Sequence, residues 1–235
     1  MSIKVLDKGY VRLVTTMGQD VSVVNAARVS FNKSTTVITE RDKKLLRFLL
    51  RNDHLSPFRH AAIAFEVKAP LMVARQWWKY VVGSDHSMDG WNEVSRRYVE
   101  EDPEFYIPEV WRSAPDNKKQ GSGEERSPGH SQTLSERLRE DTIIATAVYQ
   151  KALQEGICAE QARLFLPANA MYTTWWWTAS LQSVLHFLDQ RVAHDAQWEI
   201  QQYAQVVEKI VEQEFGWVHE AWKEVRGGSG SSPAD

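Results

Sequence analysis

Ala62-Ile-Ala-Phe-Glu-Val-Lys-Ala-Pro-Leu-Met-Val-Ala-Arg-Gln-Trp-Trp-Lys-Tyr80 is the stretch on which the fold class turns. Its first part, Ala62 to Lys68, alternates, with Ile63, Phe65 and Val67 as the mainly apolar positions. That period of two predicts a strand. Pro70 suits the first turn of a helix, because its missing N–H would have no partner there anyway. The helix is expected to run to about Tyr80. A strand that feeds directly into a helix is the unit of an α/β (α+β) protein.

Similar material lies on both sides. Val11 to Thr15 has strand character, and Asp20 to Val29 reads as a short helix. Thr39-Glu-Arg-Asp42 is a capping-box variant opening a helix to about Arg51, with Leu45, Leu46, Leu49 and Leu50 as its stripe. Ser56-Pro57 marks a turn, and a loop rich in Gly, Ser and Asp runs from Val82 to Gly90. Residues 116–129 are polar, with Gly121, Gly123, Pro128 and Gly129, and read as a mobile insertion. Ser131 to Leu153 follows as a long amphipathic helix stopped by Gly156. Thr173 to Ala179 is a predicted strand, and Ser180 caps a helix reaching about Gln190. Ala196 to Phe215 is a further helix, with Ile200, Tyr203, Val207 and Ile210 on one face. The mixture is uniform, so residues 1–222 form one expected domain, and 223–235 an expected disordered tail.

Composition removes several function classes. A formal net charge of -3 argues against a dedicated nucleic-acid binder, which carries a basic balance. Cys158 is the one cysteine, so no intrachain disulfide exists and a thiolate metal site is not expected. Tyr172 to Leu188, the most apolar stretch, is broken by Ser180, Gln182 and Ser183 and does not suit a bilayer. A soluble, cytoplasmic protein with no membrane partner is expected. No Gly-x-Gly-x-x-Gly follows a strand and no P-loop is present. Asp85-His86, His194-Asp195 and Glu199 match no zinc spacing, so no metal is expected.

What remains is a set of segments. Trp91-Asn-Glu-Val-Ser-Arg-Arg-Tyr98 puts Glu93, Ser95, Arg96 and Arg97 within five residues. Arg75-Gln-Trp-Trp-Lys79 precedes it, and Arg163 and Leu185-His-Phe-Leu-Asp-Gln-Arg191 follow. Each alone is ordinary helix surface. Together they offer cations for phosphate, amides for a base edge and aromatics for stacking, the groups a nucleotide requires.

These segments resemble the flavin-dependent thymidylate synthases, whose signature ends in Asn-Glu-x-Ser-x-Arg-Tyr. Here that is Asn92-Glu93-Val-Ser95-Arg-Arg97-Tyr98. Ala27-Arg-Val-Ser-Phe31, His54-Leu-Ser56-Pro57-Phe58, Val73-Ala-Arg-Gln76-Trp77, Leu166-Pro167 with Tyr172-Thr173, and Ala196-Gln-Trp-Glu-Ile-Gln-Gln-Tyr203 follow the family in order. The resemblance implies one domain with a central, mostly antiparallel sheet flanked by helices, assembled as a homotetramer with sites shared between subunits. It implies a methyltransferase that makes dTMP from dUMP. Methylenetetrahydrofolate would supply the carbon, and FAD, reduced by NADPH, the hydride. No enzyme nucleophile is needed, which suits a chain whose Cys158 has no neighbouring cation.

By the same resemblance, Gln76, Trp77, Trp78 and Lys79 fall in the dUMP-contacting run, with Val94, Ser95, Arg96 and Arg97. Arg163 matches a dUMP-binding Arg. Arg191 matches the catalytic Arg that favours ionised uracil N3. Glu93 lies where dUMP and flavin meet. His54, Ser56, Lys79, Tyr80, Val81, Glu93, Ser180, Leu181, Gln182 and His186 fall on the FAD side.

The chain departs from the pattern in four places. Lys79-Tyr80-Val81 replaces Arg-His-Arg, the gap from there to Glu93 is six residues longer, Gly90 stands in place of the signature's middle Ser, and Ser180-Leu-Gln182-Ser replaces Asn-Leu-Arg-Ser. Cations toward flavin or phosphate are thereby lost. Two readings of the 82–90 loop stay open: His86 on a solvated surface, or His86 folded over the site in place of the lost imidazole, with Tyr80 stacking on flavin or base. The departures also leave room for a flavin-dependent hydroxymethylase, or for a nucleotide-binding relative without catalysis.

Overall fold

The computed structural model describes residues 2–82, 90–95, 102–115 and 121–228, without the side chains of 80–82 and 227–228. The elements are β1 (Ser2–Val5), β2 (Gly9–Met17), α1 (Asp20–Arg28), α2 (Glu40–Arg51), a 3-10 turn (Ser56–His60), β3 (Ala62–Pro70), α3 (Leu71–Val82), β4 (Gly90–Glu93), α4 (Pro128–Gln154), α5 (Ala159–Ala162), β5 (Tyr172–Ser180), α6 (Leu181–Arg191), α7 (Trp198–Glu214) and α8 (Gly216–Gly228). The sheet order is β1-β2-β3-β5-β4, and every pairing is antiparallel. The α+β class and the antiparallel sheet expected from sequence are both present.

The pleat sorts side chains by parity. Ile63, Phe65 and Val67 of β3 and Trp175 and Trp177 of β5 are buried on one face. Trp77 from α3 stacks on Phe187 of α6 at 4.3 Å and meets both tryptophans edge-on at 5.4 Å. The opposite face carries Tyr10, Arg12, Glu66 and Trp176. Glu66 takes hydrogen bonds from Tyr10 (2.7 Å), Arg12 and Trp176 (3.0 Å). The Arg12 guanidinium holds the Glu66 carboxyl below its ordinary range, while burial, then Glu66, push the Tyr10 phenol up to about 12.

Two strand-to-helix junctions carry the site. Pro70 is not in the first helical turn; it is the last residue of β3, opposite Tyr172, and α3 starts at Leu71. Pairing with β2 has already ended at Lys68, so no ladder donor is missed on that side. At the second junction Ser180 closes β5 and caps α6, its Oγ accepting from the Ser183 N–H at 3.2 Å. The capping box of α2 is formed, with Asp42 accepting from the Thr39 N–H at 2.9 Å and the Thr39 hydroxyl at 2.6 Å.

Other expectations need correction. Gly90 to Glu93 is a strand, not the loop's end, because it completes the ladder of β5. The insertion expected over 116–129 is built at its far end: Ser113 and Glu124, and Arg126 and Trp111, are joined by backbone hydrogen bonds, and α4 begins at Pro128. Helix α8 continues to Gly228, past the expected boundary at Trp222. Arg47 pairs with Glu224 and Arg226 with Asp189, so this end is tied to α2 and α6. Gly156 ends α4 with φ +84, as expected. Among the described residues no helix is long and apolar enough to cross a membrane.

Candidate functional site

Helix α3 leaves β3 with Gln76 half-buried, Trp77 wholly buried, and Trp78 and Lys79 exposed. The Trp77 indole lies in the core and sets the pose of its neighbours, so any part it has in the expected dUMP-contacting run is through backbone or support. Gln76 is held from two directions. The Arg191 Nη2 donates to its backbone carbonyl at 3.5 Å, and its own Nε2 donates to Gln197 Oε1. Gln197 Nε2 donates in turn to Glu199 Oε2 at 2.8 Å. Glu199 Oε1 lies 3.5 Å from Arg112 Nη1, and the Arg112 guanidinium sits 4.0 Å over the Trp198 ring. Burial, then the Glu199 charge, raise the Tyr106 phenol beside this pair. Met72, Tyr106, Arg112, Asn169, Trp198 and Glu199 line part of a cavity of about 370 Å³ here.

Arg191 is 5% exposed at the C-terminal end of α6. A guanidinium so placed is a fixed cation with little solvent to screen it, the form in which it stabilises charge developing on a ring. Gln76 and Arg191, distant in sequence, are thus brought into contact. Gln197, Glu199 and Arg112 were not singled out from sequence for this role. For Gln197 and Glu199 the signal was Ala196-Gln-Trp-Glu199, read only as part of a resemblance; Arg112 had none.

On β4, Glu93 Oε1 accepts from the Thr173 hydroxyl at 2.8 Å, and Val94 N–H bonds to Thr174 O at 2.9 Å. Trp91 stacks on Trp175 at 4.8 Å and meets Trp78 edge-on at 5.3 Å. Trp78, Trp91 and Glu93 therefore share one rim. Ser95 is half-buried at its end. His86, Arg96 and Arg97 lie outside the described residues, as do the side chains of Tyr80 and Val81.

The third group forms where the 3-10 turn meets α6. Leu181 N–H donates to Ala61 O at 2.8 Å, locking the two together. Ser180 and Leu181 are wholly buried. The Ser180 side chain caps α6 and the Leu181 side chain belongs to the core. Ser56 is exposed, and Gln182 and His186, one turn apart on α6, are half-buried. His54 is exposed, with Phe48 edge-on to its ring at 5.8 Å. Burial, then Arg226, lower the His186 pKa. Arg59, which sequence reasoning passed over, donates Nε to Gln182 Oε1 at 2.9 Å. Arg226 acts on His186 from α8.

Arg163 stands apart. It is exposed on a 3-10 turn after α5, its backbone is bonded within the turn, and its side chain makes no hydrogen bond or ion pair with another described residue. Beside it Leu164 is 80% exposed, and on α4 Ile143 and Ile144 are 65% and 61% exposed. Among the described residues no group of three His, Cys, Asp or Glu is arranged to hold a metal ion.

With the geometry in place, comparison with known proteins is informative. The pattern of one family, described as "Thymidylate synthase complementing protein", matches residues 12–216. A flavin-dependent thymidylate synthase of Thermotoga neapolitana is 40% identical over 222 residues, covering 94% of both chains. One of Thermus thermophilus is 38% identical over 224 residues, covering 95% of this chain and 79% of its own. Among solved structures, the UMP/dUMP methylase PolB of Streptomyces cacaoi, bound with 5-Br UMP, superposes with a TM-score of 0.81. It is 28% identical and covers 95% of this chain and 97% of its own.

Proposed function

We propose a reaction for this chain from one premise: it belongs to the thymidylate synthase complementing protein family. The reading is a flavin-dependent methyltransferase that converts dUMP to dTMP with methylenetetrahydrofolate as carbon donor. When bound, FAD reduced by NADPH supplies the hydride. The observation that carries it is the contact of Arg191 with Gln76.

The chain's own residues then divide the work. Gln76 presents one end of an amide to the base edge while Gln197 holds the other. Arg191, fixed and shielded, stabilises negative charge on the pyrimidine ring. Trp78 and Trp91 offer ring faces beside Glu93. Ser95, Arg96, Arg97 and Lys79 are assigned to the nucleotide on the family pattern alone. The donors at the 3-10 turn and α6 fit an anionic dinucleotide: hydroxyl, guanidinium and amide at the N-terminus of an eleven-residue helix, where N–H groups favour negative charge. Cys158 caps α5 and has no part in the scheme.

The isolation of Arg163 supports assembly with shared sites. A substrate-binding Arg whose side chain meets none of the other described site residues within one chain is completed by a second copy. The exposed Leu164, Phe165, Ile143 and Ile144 mark apolar surface such a homotetramer would cover. A cytoplasmic location goes with these substrates.

The test is product analysis. Purified protein with dUMP, methylenetetrahydrofolate, NADPH and FAD is expected to give dTMP by mass. A hydroxymethyl product assigns the alternative one-carbon outcome. UMP in place of dUMP tests the second substrate suggested by the 5-Br UMP-bound relative. No product and no flavin uptake overturn the reading.

A further inference from the structure

A glutamine amide donates from one end and accepts at the other, and a half-turn about its last bond exchanges them. The end that Gln76 presents therefore decides which base edge it can read. The residues behind it fix that choice. Glu199, 9% exposed and held by Arg112, is a carboxylate and only accepts. Gln197 must turn its NH2 toward it, and does so at 2.8 Å. Met72 Sδ, a second acceptor, lies 3.6 Å from the same nitrogen.

With its NH2 so engaged, Gln197 has only Oε1 to offer Gln76, and Gln76 Nε2 donates to that oxygen. Reversing Gln76 alone would set oxygen against oxygen and leave two acceptors facing each other, at a cost. The half-buried Gln76 is thus left with its own Oε1, which takes no hydrogen bond from another described residue. The acceptor character of Glu199 is relayed through two amides and appears again on α3.

We propose that Glu199 and Gln197 are positioning residues that set the choice of base. They turn the Gln76 amide so that its oxygen accepts the N3–H of the neutral uracil ring as it binds, and opposes the N3 lone pair of cytosine. Arg191, bonded to the Gln76 backbone carbonyl, brings a cation to the same edge, where uracil offers carbonyl oxygens. The inference rests on the reading above that Gln76 meets the pyrimidine.

The experiment is calorimetric titration of the purified protein, with FAD present, by dUMP and by dCMP. Wild type is expected to hold dUMP about a hundredfold more tightly, since a site built for an N–H rejects the analogue lacking it. In Glu199→Gln, Arg112 keeps the new amide's oxygen on its own side, so the NH2 faces Gln197. Both amides then reverse, and Gln76 presents NH2. The ratio of dUMP to dCMP affinity is expected to fall by about tenfold or more, with dCMP bound more tightly than by wild type. Gln197→Met breaks the relay without reversing it, and the ratio should fall by about tenfold through loss of dUMP alone. Melting temperatures check folding, and if Glu199→Gln does not fold, Gln197→Met carries the test. Wild-type protein that binds neither nucleotide overturns the nucleotide reading and this inference with it. Binding of dUMP with no preference over dCMP overturns the inference alone. So does a ratio left unchanged in the variants, which would reduce Glu199 and Gln197 to support of the fold.

Discussion

At the C-terminal end of α6, Arg191 is nearly shut off from solvent and touches Gln76, which is tied through Gln197 to Glu199 and Arg112. At the N-terminal end, ten residues earlier, Gln182 and His186 are half-buried and Arg59 is exposed. One end is a finished network of fixed dipoles and charges. The other is an open set of donors. The difference suits the two tasks proposed for these ends: stabilising charge on a small ring needs preorganisation, whereas admitting a large cofactor needs surface.

The finished end should fail if its support is removed. Trp77 is wholly buried and stacked on Phe187 of α6, while its neighbour Trp78 is 47% exposed. Trp77→Ala is expected to lower folding stability by about 3–5 kcal/mol, the range for a buried aromatic. Trp78→Ala should cost about 1 kcal/mol or less, the size of one aromatic contact. Urea unfolding of both variants measures this. Equal losses would mean that Trp78 is as deeply engaged as Trp77, and the proposed rim with Trp91 would have to be abandoned.

Next in size is Arg191 itself. Arg191→Lys keeps the charge and loses the planar fork. It is expected to lower kcat on the order of a hundredfold, as loss of one preorganised donor does. KM for dUMP should change much less, because the interaction belongs to the transition state. A change confined to KM would reassign Arg191 to simple binding.

These two predictions also show what the sequence could reveal. The period of Ala62 to Lys68 and the capping box at Thr39 and Asp42 are local, and both are present. Gly90 to Glu93 lacks a strand's length and alternation; it is extended because β5 offers a free edge, which only the fold knows. Helix α8 was lost to the polar tail that follows it, although Trp222 and Arg226 both bind Asp189. In the site, the residue types at 76, 182, 186 and 191 were legible from the pattern. Their division into buried and presented side chains was not: Trp77 and Trp78 are identical in sequence, and helical phase on a sheet separates them. Arg59 escaped because its meaning depends on position 182, 123 residues away.

A smaller effect is expected at the far end of the finished network. Glu199→Gln preserves shape but removes the charge that holds Arg112 and makes Gln197 turn its NH2 inward. Stability should fall by about 1–3 kcal/mol, the cost of unsatisfying buried polar partners. KM for dUMP should rise as Gln76 loses its fixed orientation. The same stability loss with unchanged KM would show that the chain of amides ends before the substrate.

The smallest effect belongs to the open end. Burial, followed by the charge of Arg226 on α8, lowers the His186 pKa from its ordinary value of 6.5. The neutral imidazole is thus favoured in the folded chain. Above 6.5 both folded and unfolded states hold it neutral, and the full stability is present. As pH falls below that value the unfolded chain binds a proton that the folded chain refuses, so stability declines until the lowered folded pKa is passed. Urea unfolding of wild type and His186→Asn between about pH 7.5 and about pH 5 isolates the contribution. The wild type is expected to lose more stability across that range than the variant. Arg226→Gln should recover part of the difference, because the second cause is removed while burial stays. Parallel curves for wild type and His186→Asn would mean that solvent reaches the imidazole freely, and the open end of α6 would then be more open than its half-buried side chains indicate.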